Sequence, residues 1–344
     1  MPVTLSDIAR ELGVSKMTIS RAINNHPNVN SETRARVLDF VRKVNYRPNP
    51  YARALTTNRA FLIGIVVPDF MHSYFAEISK GVEDVARPAR YQNLICTTYE
   101  DSQKEIHEVE ALLTRTDGLI IASALTAKEA KFYLNIIKDG AKVVLIDRRL
   151  DGVPSPVVKT DDVKVGMLAT EHLIKLGHRK IGLLQGPLVS TAIDRSQGYK
   201  EALVKHGLEL DKSLVRDCGY TEREGYEAMK GWIHEGTFPP AVFACNDPAA
   251  IGAMTAIEDA GLKVPDDVAI VGAGNIHYGD RLRVPLTTIA WSTIEMGQAA
   301  ARLLIRGIED AGGSMAAQVV LKPELIVRYS CGEKMMGARL KRAK

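Results

Sequence analysis

The chain has 344 residues, 46% of them hydrophobic and 25% charged, the balance of an ordinary globular protein with room for two or three domains. No apolar run reaches the roughly 18 residues that a membrane-crossing helix needs, which excludes a helical membrane protein. The opening Met1-Pro-Val-Thr-Leu-Ser-Asp-Ile8 reads as a helix start rather than an export leader, so a cytoplasmic protein is expected.

The net charge of +4 is unevenly spread: residues 1–60 hold ten Lys/Arg against four Asp/Glu, residues 333–344 hold five against one, and the stretch between carries a net −6. A basic head on an acidic body suits a polyanionic partner at the head. Cys96, Cys218, Cys245 and Cys331 are far apart and show no CxxC or Cys/His spacing, so free thiols, no metal centre and no cofactor are expected.

Thr4 three residues before Asp7 forms a variant capping box, and Leu5, Ile8, Ala9 and Leu12 then recur at helical spacing up to Gly13. Ser15 caps a second helix with Ile19, Ala22 and Ile23 inward, and Asn24-Asn-His-Pro27 stops it. A third helix is predicted from an Asn30 cap to about Val44, burying Val37, Leu38, Val41 and Val44. Two short helices joined by a glycine turn and packed on a third make a helix-turn-helix. Its second helix offers Ser15, Lys16, Met17, Thr18, Ser20 and Arg21 to solvent. Lys16 and Arg21 suit guanine O6/N7, Met17 suits a thymine methyl, and the three hydroxyls suit phosphate oxygens. A plain solvated helical face would look the same.

Residues Thr4-Leu-Ser-Asp-Ile-Ala-Arg-Glu-Leu-Gly-Val-Ser-Lys-Met-Thr-Ile-Ser-Arg-Ala-Ile-Asn-Asn25 resemble the head of the lac/gal repressor (LacI/GalR) family, with Ile19 where that family usually has Val. The resemblance implies that Lys16, Met17 and Arg21 help choose a pseudo-palindromic operator in double-stranded DNA, with Thr4 and Asn28 among the head's contacts. It also makes Tyr46-Arg-Pro-Asn49-Pro-Tyr51-Ala52-Arg53-Ala-Leu55 a hinge helix for the minor groove, with Leu55 as the wedge that kinks the DNA. The implied organisation is an all-α helix-turn-helix domain at 1–47, a hinge and linker at 48–60, a two-lobed body at 61–332 and a basic tail at 333–344, in a homodimer.

From Phe61 onward short apolar runs alternate with helix-length stretches. Strands are predicted at Leu62–Val67, Asn93–Thr98, Gly118–Ala122, Lys142–Ile146, Lys180–Leu184, Ala241–Ala244 and Val268–Val271. This is the pattern of an α/β body of two doubly wound parallel-sheet lobes, whose crevice at the strand ends takes small ligands. The same family's periplasmic-binding-protein-like core is similar at Val67-Pro-Asp69, Leu145-Ile-Asp147-Arg148, Arg195-Ser-Gln-Gly198-Tyr and Asn246-Asp247-Pro, and implies lobe crossings near 161, 288–292 and 320.

The resemblance places a small-molecule effector against Tyr74, Phe75, Arg148, Asp161, Thr191, Arg195, Tyr220 and Asp247. Other roles stay open for these residues. Tyr74 and Phe75 suit core, Arg148 and Asp161 suit an ion pair between lobes, and Asp247 suits a cap on the helix at Pro248. One departure bears on the ligand. Gly274 stands where the family usually keeps a carboxylate, so a pocket with Arg148 and Arg195 is expected to favour an anion such as a sugar acid or sugar phosphate. In Arg87-Pro-Ala-Arg90-Tyr, Arg90 replaces the usual glycine, with an effect expected only on a surface helix end.

Two rivals remain. Gly272-Ala-Gly274-Asn-Ile-His277 lacks the third glycine and the ribose-binding acid of a dinucleotide site, and no nucleophile, P-loop or metalloprotease motif occurs, so an enzyme is not expected. His178, where a turn feeds a strand, reads as structural. A pure solute-binding protein would explain the body but not the head.

Overall fold

The computed structural model describes residues 3–46, 59–71, 73–126, 128–310 and 317–333. The chain forms two compact units divided at Ala60. In the first, helices α1 (Leu5–Leu12), α2 (Lys16–Ile23) and α3 (Ser31–Lys43) enclose a small core of Ile8, Ala9, Ile19, Ala22, Val29 and Val37. The caps act as their residue types suggest. Asp7 N donates to Thr4 Oγ1 while Thr4 N donates back to Asp7, and Gly13 closes α1 at φ +65°, the left-handed conformation that glycine adopts without strain. Thr18 N donates to Ser15 Oγ at 3.1 Å and Thr33 N to Asn30 Oδ1 at 2.7 Å. Leu38 departs from its predicted burial. It lies next to the inward stripe of Val37 and Val41 and is exposed.

In the second unit, strands β1 (Leu62–Val67), β2 (Gln92–Thr97), β3 (Gly118–Ile121), β4 (Val143–Ile146), β5 (Val157–Thr160) and β11 (Gln318–Leu321) form one sheet, ordered β2-β1-β3-β4-β5-β11 and wholly parallel. Strands β6 (Ile181–Gln185), β7 (Val215–Asp217), β8 (Ala241–Ala244), β9 (Ala269–Ala273), β10 (Thr287–Ala290) and β12 (Glu324–Ile326) form the other, ordered β7-β6-β8-β9-β10-β12, with only β12 antiparallel. The chain leaves the first sheet after β5, returns after β10 and leaves again after β11. The strands absent from the sequence reading, β5, β7, β10, β11 and β12, are three or four residues long and mix polar with apolar side chains. Too few residues remain there for a periodic signal.

Helices α4 (Ser73–Ala86), α5 (Ser102–Leu113), α6 (Lys131–Lys138) and α11 (Thr293–Glu309) cover the first sheet. Helices α7 (Asp162–Lys175), α8 (Ser190–Lys205), α9 (Glu222–His234) and α10 (Asp247–Asp259) cover the second. Three helix pairs approach backbone to backbone through reciprocal glycines. A Cβ on Gly166 of α7 would lie 2.0 Å from Arg195 O, and one on Gly198 of α8 would lie 1.9 Å from Val163 O. Gly81 and Gly297 join α4 to α11 in the same way, as Gly225 and Gly252 join α9 to α10. The α7–α8 contact matters for function because it sets the height of Arg195. Gly198→Ala has no flexible side chain to displace, so it is expected to cost about 1–3 kcal/mol by overpacking, read as a lower urea midpoint at unchanged slope.

Candidate nucleic-acid interface and ligand cleft

On α2 the buried Ile19 and Ala22 fix one face, and helical spacing sends Lys16, Met17, Ser20 and Arg21 to the other. Lys16, Met17 and Arg21 are exposed, Met17 at 61%. A methionine this open gains nothing from the core and is available to an apolar partner. Thr18 and Ser20 are half-buried, and Ser15 Oγ and Thr18 Oγ1 hydrogen-bond to each other at 2.9 Å, so the turn that presents this face is internally braced. Thr4 and Asn28 are also exposed, and Asn28 N donates to His26 Nδ1 at 3.2 Å. Arg34 Nη2 donates to His26 O and Val29 O at 2.6 and 3.1 Å, fastening the loop between α2 and α3. Asn49, Tyr51, Ala52, Arg53 and Leu55 lie outside the described residues, as does the tail from Lys334 onward.

The second unit contains a cleft of about 740 Å³, part of it open to solvent, at the carboxyl ends of both sheets. Asp69 follows β1, Glu100 follows β2, and Asp147 and Arg148 follow β4. From the other lobe come Thr191 and Arg195 on α8, Tyr220 after β7, Asn246 and Asp247 after β8, and Gly274 and Ile276 after β9. Trp291 lies where the chain returns to the first lobe. Convergence of loops at strand ends is the usual ligand geometry of open α/β sheets.

Each buried arginine has its own carboxylate. Arg148, 3% exposed, reaches Glu100 with both terminal nitrogens at 2.7 and 2.6 Å. Its Nη1 also donates to Ser123 O, in a loop held by the buried Glu105, which accepts from Ser123 Oγ, Tyr133 Oη and Ala124 N. Arg195, 5% exposed, donates to Asp162 Oδ1 at 2.8 Å and Cys245 O at 2.7 Å, and stacks over the Trp291 ring. Tyr74 Oη donates to Asp147 Oδ1 at 2.5 Å and receives Trp291 Nε1 at 3.3 Å, so one polar chain links the two lobes. Thr191 Oγ1 and Tyr220 Oη hydrogen-bond at 2.9 Å.

Burial alone would lower the Arg148 guanidinium, but the bidentate Glu100 outweighs it and holds Arg148 above its ordinary range. Burial likewise pushes the Tyr74 phenol well up, reinforced by Asp147. Burial raises Asp162, and Arg195 opposes it. Asp247 is pushed up to about 6 by burial, against the bonds it accepts from Thr288 Oγ1 at 2.6 Å and Ile276 N at 2.7 Å.

Residues 4–49 match the model described as bacterial regulatory proteins, lacI family, and residues 170–331 match a periplasmic binding protein-like domain. The HTH-type transcriptional regulator DegA of Bacillus subtilis is 34% identical over 96% of this chain and 98% of its own. The HTH-type transcriptional repressor PurR of Pasteurella multocida is 33% identical over 95% and 98%. The chain belongs to the LacI family. Among solved structures, the lac repressor dimer bound to operator and the anti-inducer ONPF aligns with a TM-score of 0.85 and 26% identity over 96% of this chain and 99% of that one. The transcriptional regulator CelR–cellobiose complex aligns with a TM-score of 0.72 and 29% identity over 95% and 99%. As a LacI-family member the protein is a DNA-binding transcriptional regulator rather than an enzyme. No helix among its described residues is long and apolar enough to cross a membrane.

Seven of the eight residues that the LacI-family resemblance assigned to an effector line the cleft: Tyr74, Phe75, Arg148, Thr191, Arg195, Tyr220 and Asp247. Asp161 does not. It caps α7, accepting from Lys164 N at 3.0 Å, while its neighbour Asp162 faces inward to Arg195. The ion pair suggested between Arg148 and Asp161 is therefore replaced by Arg148–Glu100. Asn246, not Asp247, caps α10, and Asp247 instead ties β8 to the β9 and β10 ends. Arg90 adopts φ +65°, the conformation a glycine would take freely.

The two arginines behind the expectation of an anionic ligand are each paired with a carboxylate, and Asp69, Glu77, Glu100, Asp147 and Asp247 also line the cleft. Gly274 has φ +125°, where an L side chain is strained, and the carboxylate nearest its Cβ direction is Asp247, at 3.9 Å. The missed contributors Glu100, Asp147, Asp162 and Trp291 all sit just beyond strand ends, which is the one signal that could have flagged them.

Two measurements probe this network. Asp162→Ala leaves Arg195 buried without its counter-charge and should cost about 3–5 kcal/mol in urea unfolding, with Asp162→Asn losing less because it keeps an acceptor. Asp247, at about 6 folded against an ordinary 3.8, contributes stability that is fully present below 3.8 and lost as pH rises through about 6. The near-isosteric Asp247→Asn should flatten that part of the stability–pH curve.

Proposed function

We propose that this protein is a repressor that binds a pseudo-palindromic operator as a homodimer, with an affinity set by a neutral polyhydroxylated ligand, a sugar, held in the cleft. The observation that carries the ligand class is the lining itself. Carboxylates outnumber guanidiniums, each guanidinium is internally paired, and Tyr74, Phe75, Tyr220 and Trp291 supply ring faces. Hydroxyl groups donate to carboxylates without burying a new charge, and the apolar C–H face of a sugar ring packs on aromatics. The similarity to a regulator solved with cellobiose supports the same class.

On DNA, Lys16, Met17 and Arg21 read base edges while Thr4, Ser15, Thr18, Ser20 and Asn28 hold phosphates. Asn49, Tyr51, Ala52, Arg53 and Leu55 serve the minor groove at the dimer's centre, as the LacI-family resemblance implies. Ligand and operator are linked by a reciprocal coupling free energy of about 1–3 kcal/mol.

The test is selection on a randomised operator library with and without neutral sugars, sugar acids and nucleobases. The expected result is a two-fold-related site whose affinity shifts at least fivefold with a neutral sugar and is unmoved by sugar acids. A shift confined to sugar acids or nucleobases would refute the ligand class. On the selected site, Arg21→Ala should cost about 1–3 kcal/mol and relax one base position in each half. Wild-type affinity should fall steeply between low and physiological salt.

A further inference from the structure

The spacing of cysteines and histidines in the sequence gives no metal motif, yet the fold brings three donors together away from the cleft. A ring nitrogen of His172, Cys331 Sγ and a carboxylate oxygen of Glu333 lie within 4.8 Å of one another. His172 is on the last turns of α7, while Cys331 and Glu333 flank Gly332 on the segment after β12. Gly332 adopts φ +86°, which turns the chain between the two ligands. The His172 side chain is 6% exposed, and its Nε2 is buried with no hydrogen-bond partner among the described residues. An orphaned buried polar nitrogen costs about 1–3 kcal/mol. A cation bound there would remove that cost.

We propose that His172, Cys331 and Glu333 bind one divalent cation of borderline softness, with Zn²⁺ the best match to the donor set. Sulfur, imidazole and carboxylate together are the ligands of zinc, whereas Ca²⁺ and Mg²⁺ take oxygen alone. Ligand atoms at tetrahedral zinc stand roughly 3.5 Å apart, given metal–ligand distances of about 2.0–2.3 Å, so the cluster needs to draw in by about an ångström. Glu333, an exposed side chain, can supply that movement. A water completes the fourth position. Thr287 Oγ1 donates to Cys331 Sγ at 3.2 Å, the outer hydrogen bond that orients and stabilises a ligating thiolate. Binding exchanges the thiol proton, released to solvent, for a metal–sulfur bond with no change of oxidation state.

Position suggests the consequence. The same segment carries Ser330, which exchanges hydrogen bonds with Ile270 and Thr287, and Arg328, whose Nη2 donates to Asn275 Oδ1 at 2.7 Å. Asn275 stands between Gly274 and Ile276 of the cleft lining. A cation joining α7 to this segment would tether the brace of the cleft's second-lobe wall.

The experiment uses the untagged full chain, reduced and stripped of metal by a chelator. It is titrated with Zn²⁺ against a chromophoric competitor, and separately with Co²⁺ while its absorption is recorded. One equivalent should bind, with a thiolate-to-cobalt charge-transfer band that disappears in Cys331→Ser. Zn²⁺ affinity should fall at least tenfold in His172→Gln and in Glu333→Gln. Glu333 is exposed, so Glu333→Gln leaves the fold intact and the test holds even where the buried variants unfold. Absence of the band at stoichiometric Co²⁺, a band that survives in Cys331→Ser, or unchanged affinity in Glu333→Gln would each overturn the proposal.

Discussion

Arg148 and Arg195 are both almost wholly out of water, and a buried guanidinium without a counter-charge is among the most costly groups a fold can contain. The cleft is built around that constraint. Glu100 must turn back from the end of β2 to meet Arg148, and it does so with Tyr99 and Glu100 both in the left-handed region, at φ +56° and +60°. Two adjacent non-glycine residues there cost about 1–2 kcal/mol each. The bidentate pair at 2.7 and 2.6 Å holds them in place. Asp162, for its part, must enter α7 pointing inward. The neighbouring Asp161 takes over the cap, so that one carboxylate serves the helix end and the next serves the arginine.

These pairs belong to different lobes, and the residue that connects them is Trp291. Its ring lies under the Arg195 guanidinium and its Nε1 donates to Tyr74 Oη, which in turn donates to Asp147. Trp291 also sits where the chain passes from β10 back to α11. A change in how the lobes meet therefore cannot leave the cleft unaltered, because covalent crossing and polar chain share one side chain. That is the physical content available for allostery within this unit. A ligand touching Tyr74, Asp147 or Arg195 would bias the same element that joins the lobes.

The head was legible almost residue by residue. Helix caps are local, and Thr4–Asp7, Ser15–Thr18 and Asn30–Thr33 each close over three positions. The central strands were legible too, since β1, β3, β4 and β8 are continuous apolar runs. What escaped was relational. Short strands such as β7 and β12 exist because a neighbour offers them hydrogen bonds, not because their own three residues prefer extension. The glycines of the helix crossings read singly as weak points, and only the opposing carbonyl shows why Gly166 and Gly198 are required. Arg148 and Arg195 were found as residues, but their partners lie 48 and 33 positions away, beyond any local pattern.

That separation is why the sequence shows the two arginines without the carboxylates that pair with them. An arginine counted alone is a site for an anion, whereas an arginine in a closed pair is a neutral wall with directed N–H groups. A carboxylate-bearing ligand entering this cleft would have to displace Glu100 or Asp162 from its guanidinium, or else face Asp69, Glu77 and Asp147 across a medium that screens poorly. A neutral polyol meets neither penalty. Under the proposed function, discrimination would rest less on attraction for a sugar than on the cost imposed on acidic ligands, the kind of selectivity that fixed like charges produce even where attractive contacts are equal.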